Sequence, residues 1–104
     1  MKNKSKTVDI FGTKYRIEYT DSPIEDENGN SYWGMAYHDT KVIKIVTKTP
    51  GGLQIDEQDL KQTLIHELMH AALSCGAYHD ECSNEQLVEW LARCILAFQN
   101  QKII

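Results

Sequence analysis

Two histidines and a glutamate stand together in the second half of this chain, in the run His66-Glu67-Leu68-Met69-His70. On an α-helix, positions four apart project from one face about one turn apart, so both imidazoles can reach a single metal ion. Glu67 is rotated by about 100° from His66. It can therefore stand beside such an ion without ligating it and accept a proton from a water held there. Paired imidazoles with an adjacent carboxylate are the donor chemistry of a hydrolytic zinc site, so Zn2+ is the expected cofactor, His66 and His70 its ligands and Glu67 the catalytic base. The plain alternative is a pair of histidines satisfied by ordinary core or surface hydrogen bonds.

A catalytic zinc takes a third protein ligand and keeps one position open for water. His79, Asp80, Glu81, Cys82, Glu85 and Glu89 all lie downstream within reach. The longer pattern His-Glu-x-x-His-x-x-Gly-x-x-His is excluded, since Leu73 stands at its glycine position and Gly76 at its third histidine. Glu85 shares a helical arc with Ala92 and Leu96, and a carboxylate facing inward needs a partner, which zinc would supply. Glu89, one turn on and beside Arg93, is placed to stand behind a ligand histidine and accept its free ring N–H. For either glutamate the alternative is a solvated helix surface. His79 is expected to be solvated in a loop, His38 to be exposed in a hairpin turn, and Tyr78 to be available as a hydrogen-bond donor to an oxyanion.

These residues need a helix under them, and the pattern predicts one from about Asp56 to Cys75. Apolar residues recur there at Leu60, Leu64, Leu68, Ala71, Ala72 and Cys75, close to a 3.6 period. Asp56, Glu57 and Asp59 occupy its first turn, where the helix dipole favours acids, and Gly76 suits a C-cap. A second helix is predicted from Ser83 or Asn84 through Leu87, Val88, Leu91, Ile95, Leu96 and Phe98.

Before the helices the periodicity is that of strands. Thr7 to Tyr19 alternates around Gly12, which predicts two strands with the turn at Gly12-Thr13. Asp21 to Asn30 reads as a polar loop with an Asn28-Gly29 turn signal. Ser31 to Tyr37 and Lys41 to Thr47 flank His38-Asp39-Thr40 as a hairpin, and Thr49-Pro50-Gly51-Gly52 ends the β half. If the strand Lys41 to Lys48 lies at a sheet edge, it could align an extended substrate by strand addition. The expected fold class is α+β: a small antiparallel sheet made of N-terminal hairpins, followed by two long helices, in one domain over residues 1–104.

The chain has 104 residues, a net charge of -4, 41% hydrophobic and 25% charged residues, which suits one globular core. No basic stripe is present to neutralise phosphates, so nucleic acid is not an expected partner. Lys2, Lys4 and Lys6 are followed by Thr7-Val8-Asp9 rather than by an apolar run, unlike a secretory signal, and no window is long enough for a membrane span. A cytoplasmic location is expected. Cys75, Cys82 and Cys94 have no CxxC spacing and are read as reduced thiols, with Cys75 and Cys94 in the core.

The motif and its continuation resemble the gluzincin branch of zinc metallopeptidases. Asn84-Glu85-Gln86-Leu87-Val88-Glu89 is similar to the Asn-Glu-x-x-x-Asp element of that branch, with a shorter connection from His70. The resemblance implies Glu85 as the third ligand and Glu89 as the acid that orients a histidine. The stretch from Thr63 to Ala92, with a β segment before it, is also similar to ImmA/IrrE-type metallopeptidases and to small metallopeptidases of phages and mobile elements. It implies a minimal zincin-like fold, peptide-bond hydrolysis and a peptide or protein substrate. The rival expectations are a zinc-binding regulatory or interaction module without proteolytic activity and an amide hydrolase acting on a non-protein substrate.

Overall fold

The computed structural model of the protein describes residues 5–102, so Lys2 and Lys4 lie outside the described residues. The chain is an α+β fold in which a four-stranded sheet comes first and helices follow. Strands β1 (Ser5–Ile10) and β2 (Thr13–Thr20) form an antiparallel hairpin in the register Ser5↔Glu18 to Ile10↔Thr13. Its turn is Phe11-Gly12, one residue earlier than expected. Both residues have positive φ, 50° and 95°, as a tight two-residue hairpin turn demands. Phe11 accordingly points into solvent.

The stretch expected as a plain loop contains a small second hairpin, β3 (Ile24–Glu25) with β4 (Ser31–Tyr32). Asp26 organises it by accepting hydrogen bonds from the Asn28 and Asn30 backbone N–H groups and from the Tyr32 hydroxyl. Those three bonds hold its carboxyl below the usual range.

Strands β5 (Gly34–Tyr37) and β6 (Val42–Val46) pair antiparallel, but the sheet order is β1-β2-β6-β5, and β2 and β6 run parallel. The sheet is mixed rather than antiparallel throughout. β6 reads Val-Ile-Lys-Ile-Val and buries both faces at four of its five positions, the composition of an interior strand. The Lys41 to Lys48 strand is thus not an edge and cannot receive a substrate strand. The edge on that side is β5.

Beyond β6 the turn at Thr49 to Gly52 folds the chain back so that Lys48 and Gln54 form a bridge. Helix α1 (Glu57–Cys75) then begins, with the Asp56 carboxylate accepting from the Gln58 N–H at its N-cap. A short helix α2 (His79–Cys82) occupies the connection. Helix α3 (Glu85–Asn100) starts behind Asn84, whose side chain accepts from the Leu87 N–H.

Helix α1 lies between two apolar layers. Leu60, Leu64, Leu68 and Ala71 pack on Tyr15, Ile17, Ile43 and Ile45 of the sheet, and Ile65 and Met69 pack on Ala92, Ile95 and Leu96 of α3. Burial of such side chains contributes roughly 1.5–3 kcal/mol each, enough to hold α1 on both flanks. Cys75, expected in the core, is exposed at the end of α1, and Phe98 is half-exposed on α3. No helix among the described residues is long and apolar enough to cross a membrane.

Candidate metal centre

Packing α3 against α1 brings its first turn over the middle of α1. His66 and His70 project side by side there, with their Nε2 atoms 3.2 Å apart. Glu85 is the first residue of α3, and its carboxylate lies 3.0 Å from His66 Nε2 and 3.1 Å from His70 Nε2. Two donors bound to a tetrahedral zinc at 2.0–2.1 Å would stand about 3.3 Å apart, so the three spacings suit a shared ion of that size. Among the described residues, the donor atoms of His66, His70 and Glu85 form a group within 4.8 Å that could hold a metal ion. His79 lines the adjoining cleft without joining that group, Asp80 and Glu81 stay outside it as well, and Tyr78 is exposed away from the cleft lining.

The two histidines are held differently on their far sides. His66 Nδ1 is 2.8 Å from Glu89 Oε1, and the second oxygen of Glu89 accepts from Gln62 at 2.6 Å. An Nδ1–H donated to that carboxylate leaves the Nε2 lone pair directed at the shared point. His70 Nδ1 instead faces the sulfur of Cys82 at 3.8 Å, while the Cys82 thiol donates to the His70 carbonyl at 3.2 Å. Burial, reinforced by the Glu85 and Glu67 carboxylates, pushes the Cys82 thiol up, so it stays protonated and serves as a neutral support.

Glu85 is not the desolvated carboxylate its helical arc suggested. Its side chain is 70% exposed, whereas that of His70 is 9% exposed. The donor set is therefore closed on the α1 side and open toward solvent, and an incoming molecule has access.

Glu67 sits on the opposite flank, 7% exposed, under strand β5. Burial pushes its carboxyl above the usual range, the neighbouring His66 and His70 oppose that, Glu85 adds to it, and the Ala36 N–H of β5 donates to the carboxylate and lowers it. This approach requires Gly34. A Cβ there would meet Thr63 Cγ2 at 2.7 Å and Glu67 Cγ at 3.1 Å, so only glycine lets β5 lie this close to α1. Gly34 was readable as an isolated glycine in a strand pattern, but its neighbour across the gap was not.

His38 is half-buried rather than exposed. Its Nδ1 is 3.1 Å from the hydroxyl of the buried Tyr15, its Nε2 is 3.8 Å from the Cys82 sulfur, and burial holds its imidazole below the usual value. Tyr15, His38, Cys82 and His70 thus form one polar chain from the sheet to the candidate ligands. Comparison with protein-family models, with curated proteins and with solved structures finds no match to this chain.

Proposed function

We propose that this protein is a zinc-dependent peptidase of minimal zincin-like build, with His66, His70 and Glu85 as ligands, Glu89 orienting His66 and Glu67 as general base. The observation that carries the reading is the convergence of two imidazoles and a carboxylate at ligand-to-ligand spacing beside a separate, buried glutamate. The donor set is the two-histidine, one-glutamate combination that zinc takes in hydrolytic sites, and its exposed side leaves a position free, unlike a closed structural site. The gluzincin resemblance of Asn84 to Glu89 fits the same assignment.

A bound zinc ion would polarise the scissile carbonyl and make water a better acid near neutral pH. Glu67, on the flank of α1 that faces β5, takes the proton from the attacking water and returns it to the leaving amine. Its raised carboxyl makes it a better proton acceptor than an exposed glutamate would be. The Ala36 N–H fixes its orientation. The edge strand β5 offers backbone groups to an extended substrate next to Glu67.

Elemental analysis tests this reading. About one zinc per chain is expected in the wild type, as for a site with one ion. His66→Ala should lose the metal, Glu85→Gln should bind it more weakly, and Glu67→Gln should keep it while losing hydrolysis. A wild type purified without chelators and free of zinc after reconstitution would remove the proposal.

A further inference from the structure

The candidate metal centre lies within a cleft of about 1300 Å³ that follows one face of α1. Asp56, Asp59, Thr63, His66, His70 and Ser74 line it at helical intervals, so its floor extends for about 27 Å at 1.5 Å per residue. The two ends of this floor differ. Near the start of α1 the cleft is walled by Tyr32, Trp33, Leu53 and Ile55. Trp33 is 56% and Leu53 72% exposed, although both are large apolar side chains. Large apolar side chains left in water along the wall of a cleft mark a place where something docks.

Charge narrows what docks there. The cleft lining contains Asp56, Asp59, Glu85 and Glu89 besides Glu67, and no lysine or arginine, in a chain that has 11 of them. Glu67, Glu85 and Glu89 are engaged with the histidines or β5, and Asp56 caps α1. Asp59 has no ion-pair partner among the described residues. Asp59 lines the same cleft as Trp33 and Leu53, on the first turn of the helix that forms its floor.

We propose that the occupant of this cleft is an extended peptide with a large apolar residue and a neighbouring lysine or arginine, seated at the Trp33/Asp59 end. The proposal rests on the peptidase reading above and deepens it. Asp59 precedes His66 by seven positions, about 10 Å of helix, which is about three residues of extended chain. The pair therefore sits about three residues from the scissile bond. Successive side chains of an extended peptide point to opposite sides. One can pack on the strand wall at Tyr32 and Trp33 while its neighbour reaches the helix wall at Asp59. At the Trp33/Asp59 end an acidic side chain meets the Asp56 and Asp59 carboxylates and is disfavoured.

The test uses the full chain carrying Glu67→Gln, loaded with zinc, with zinc content measured on the same sample. The probes are acetylated, amidated alanine-serine peptides about eight residues long, the span of the cleft floor in extended chain, with Phe-Lys, Phe-Glu or Ala-Lys at the centre. Calorimetry is expected to find Phe-Lys bound at least about tenfold tighter than either of the others. Asp59→Asn should reduce the preference for Lys over Glu, and Trp33→Ala the preference for Phe over Ala, with zinc content unchanged in both. Equal binding of the three peptides, tighter binding of Phe-Glu, no binding by the zinc-loaded protein, or preferences that survive both substitutions would each overturn the proposal. Protein that takes up no zinc would fail at the elemental analysis, and that failure belongs to the peptidase reading.

Discussion

Helix α1 carries both candidate ligand histidines and the candidate base, and its two flanks treat them in opposite ways. On the α3 flank the partners are carboxylates that remain largely in water: the Glu85 side chain is 70% and that of Glu89 42% exposed. Toward the sheet and α2 the partners are neutral: the Ala36 N–H and the close-packed Gly34 of β5, and the half-buried Cys82 thiol of α2. Solvated carboxylates can offer negative charge to a cation without a large desolvation cost. A buried carboxylate with one backbone donor, by contrast, is held above the usual range and ready to take a proton. The α3 flank is thus suited to holding a metal ion, and the sheet flank to setting proton affinity.

That division of labour can be broken experimentally. The largest effect is expected where the flanks meet: His66→Ala or His70→Ala should abolish zinc retention. With it would go the metal-linked stabilisation, about 2.7 kcal/mol at free zinc a hundredfold above Kd, read as the loss of the zinc-dependent shift in Tm. Gly34→Ala should cost about 1–3 kcal/mol by forcing β5 off α1. It should suppress hydrolysis while zinc content stays at the wild-type level, and loss of zinc instead would mean that the flanks are not separable. Glu89→Gln should weaken zinc affinity about 10–100-fold by removing the acceptor behind His66.

Smaller effects sharpen the comparison. Burial raises the Glu67 carboxyl in the folded metal-free chain above its unfolded value. Its contribution to stability is therefore fully present below the unfolded pKa and lost as pH rises through the folded one. Glu67→Gln should make metal-free protein more stable at neutral pH, with the gap closing in acid. Chemical denaturation across that range measures it. The smallest change is expected from Cys82→Ala, because a thiol sulfur at 3.8 Å is a weak acceptor. Zinc affinity should fall less than about threefold, well short of the effect of a lost carboxylate acceptor. A loss as large as that of Glu89→Gln would erase the difference between the flanks.

Much of the local structure was readable because it depends on periods of one element. The 3.6 period put Leu60, Leu64 and Leu68 on one side of α1 and His66 with His70 on another, the acids Asp56, Glu57 and Asp59 marked the start of α1 by dipole preference, and Ser83 or Asn84 marked that of α3, with Asp56 and Asn84 found as the caps. The β-branched run of β6 announced a strand but not its place in the sheet. Four buried positions out of five are compatible with several strand orders, and the parallel pairing with β2 requires a crossover that periodicity does not encode. The short pairing of β3 with β4 and the turn at Phe11-Gly12 were missed for a similar reason, since Asp26 and a positive φ at Phe11 act through geometry rather than composition.

By itself, the sequence determined that His66 and His70 share a helix face with Glu67 rotated beside them, because helical geometry follows from spacing alone. It determined equally that a β half precedes a helical half. Only the tertiary structure decided that Glu85 reaches both imidazoles, that Cys82 and His38 stand behind His70, and that Gly34 lets β5 touch Glu67. Those contacts join residues 12 to 44 positions apart or lie across packed elements. They depend on how α3 and the sheet dock on α1, which is set by the summed packing of many side chains and by no local pattern.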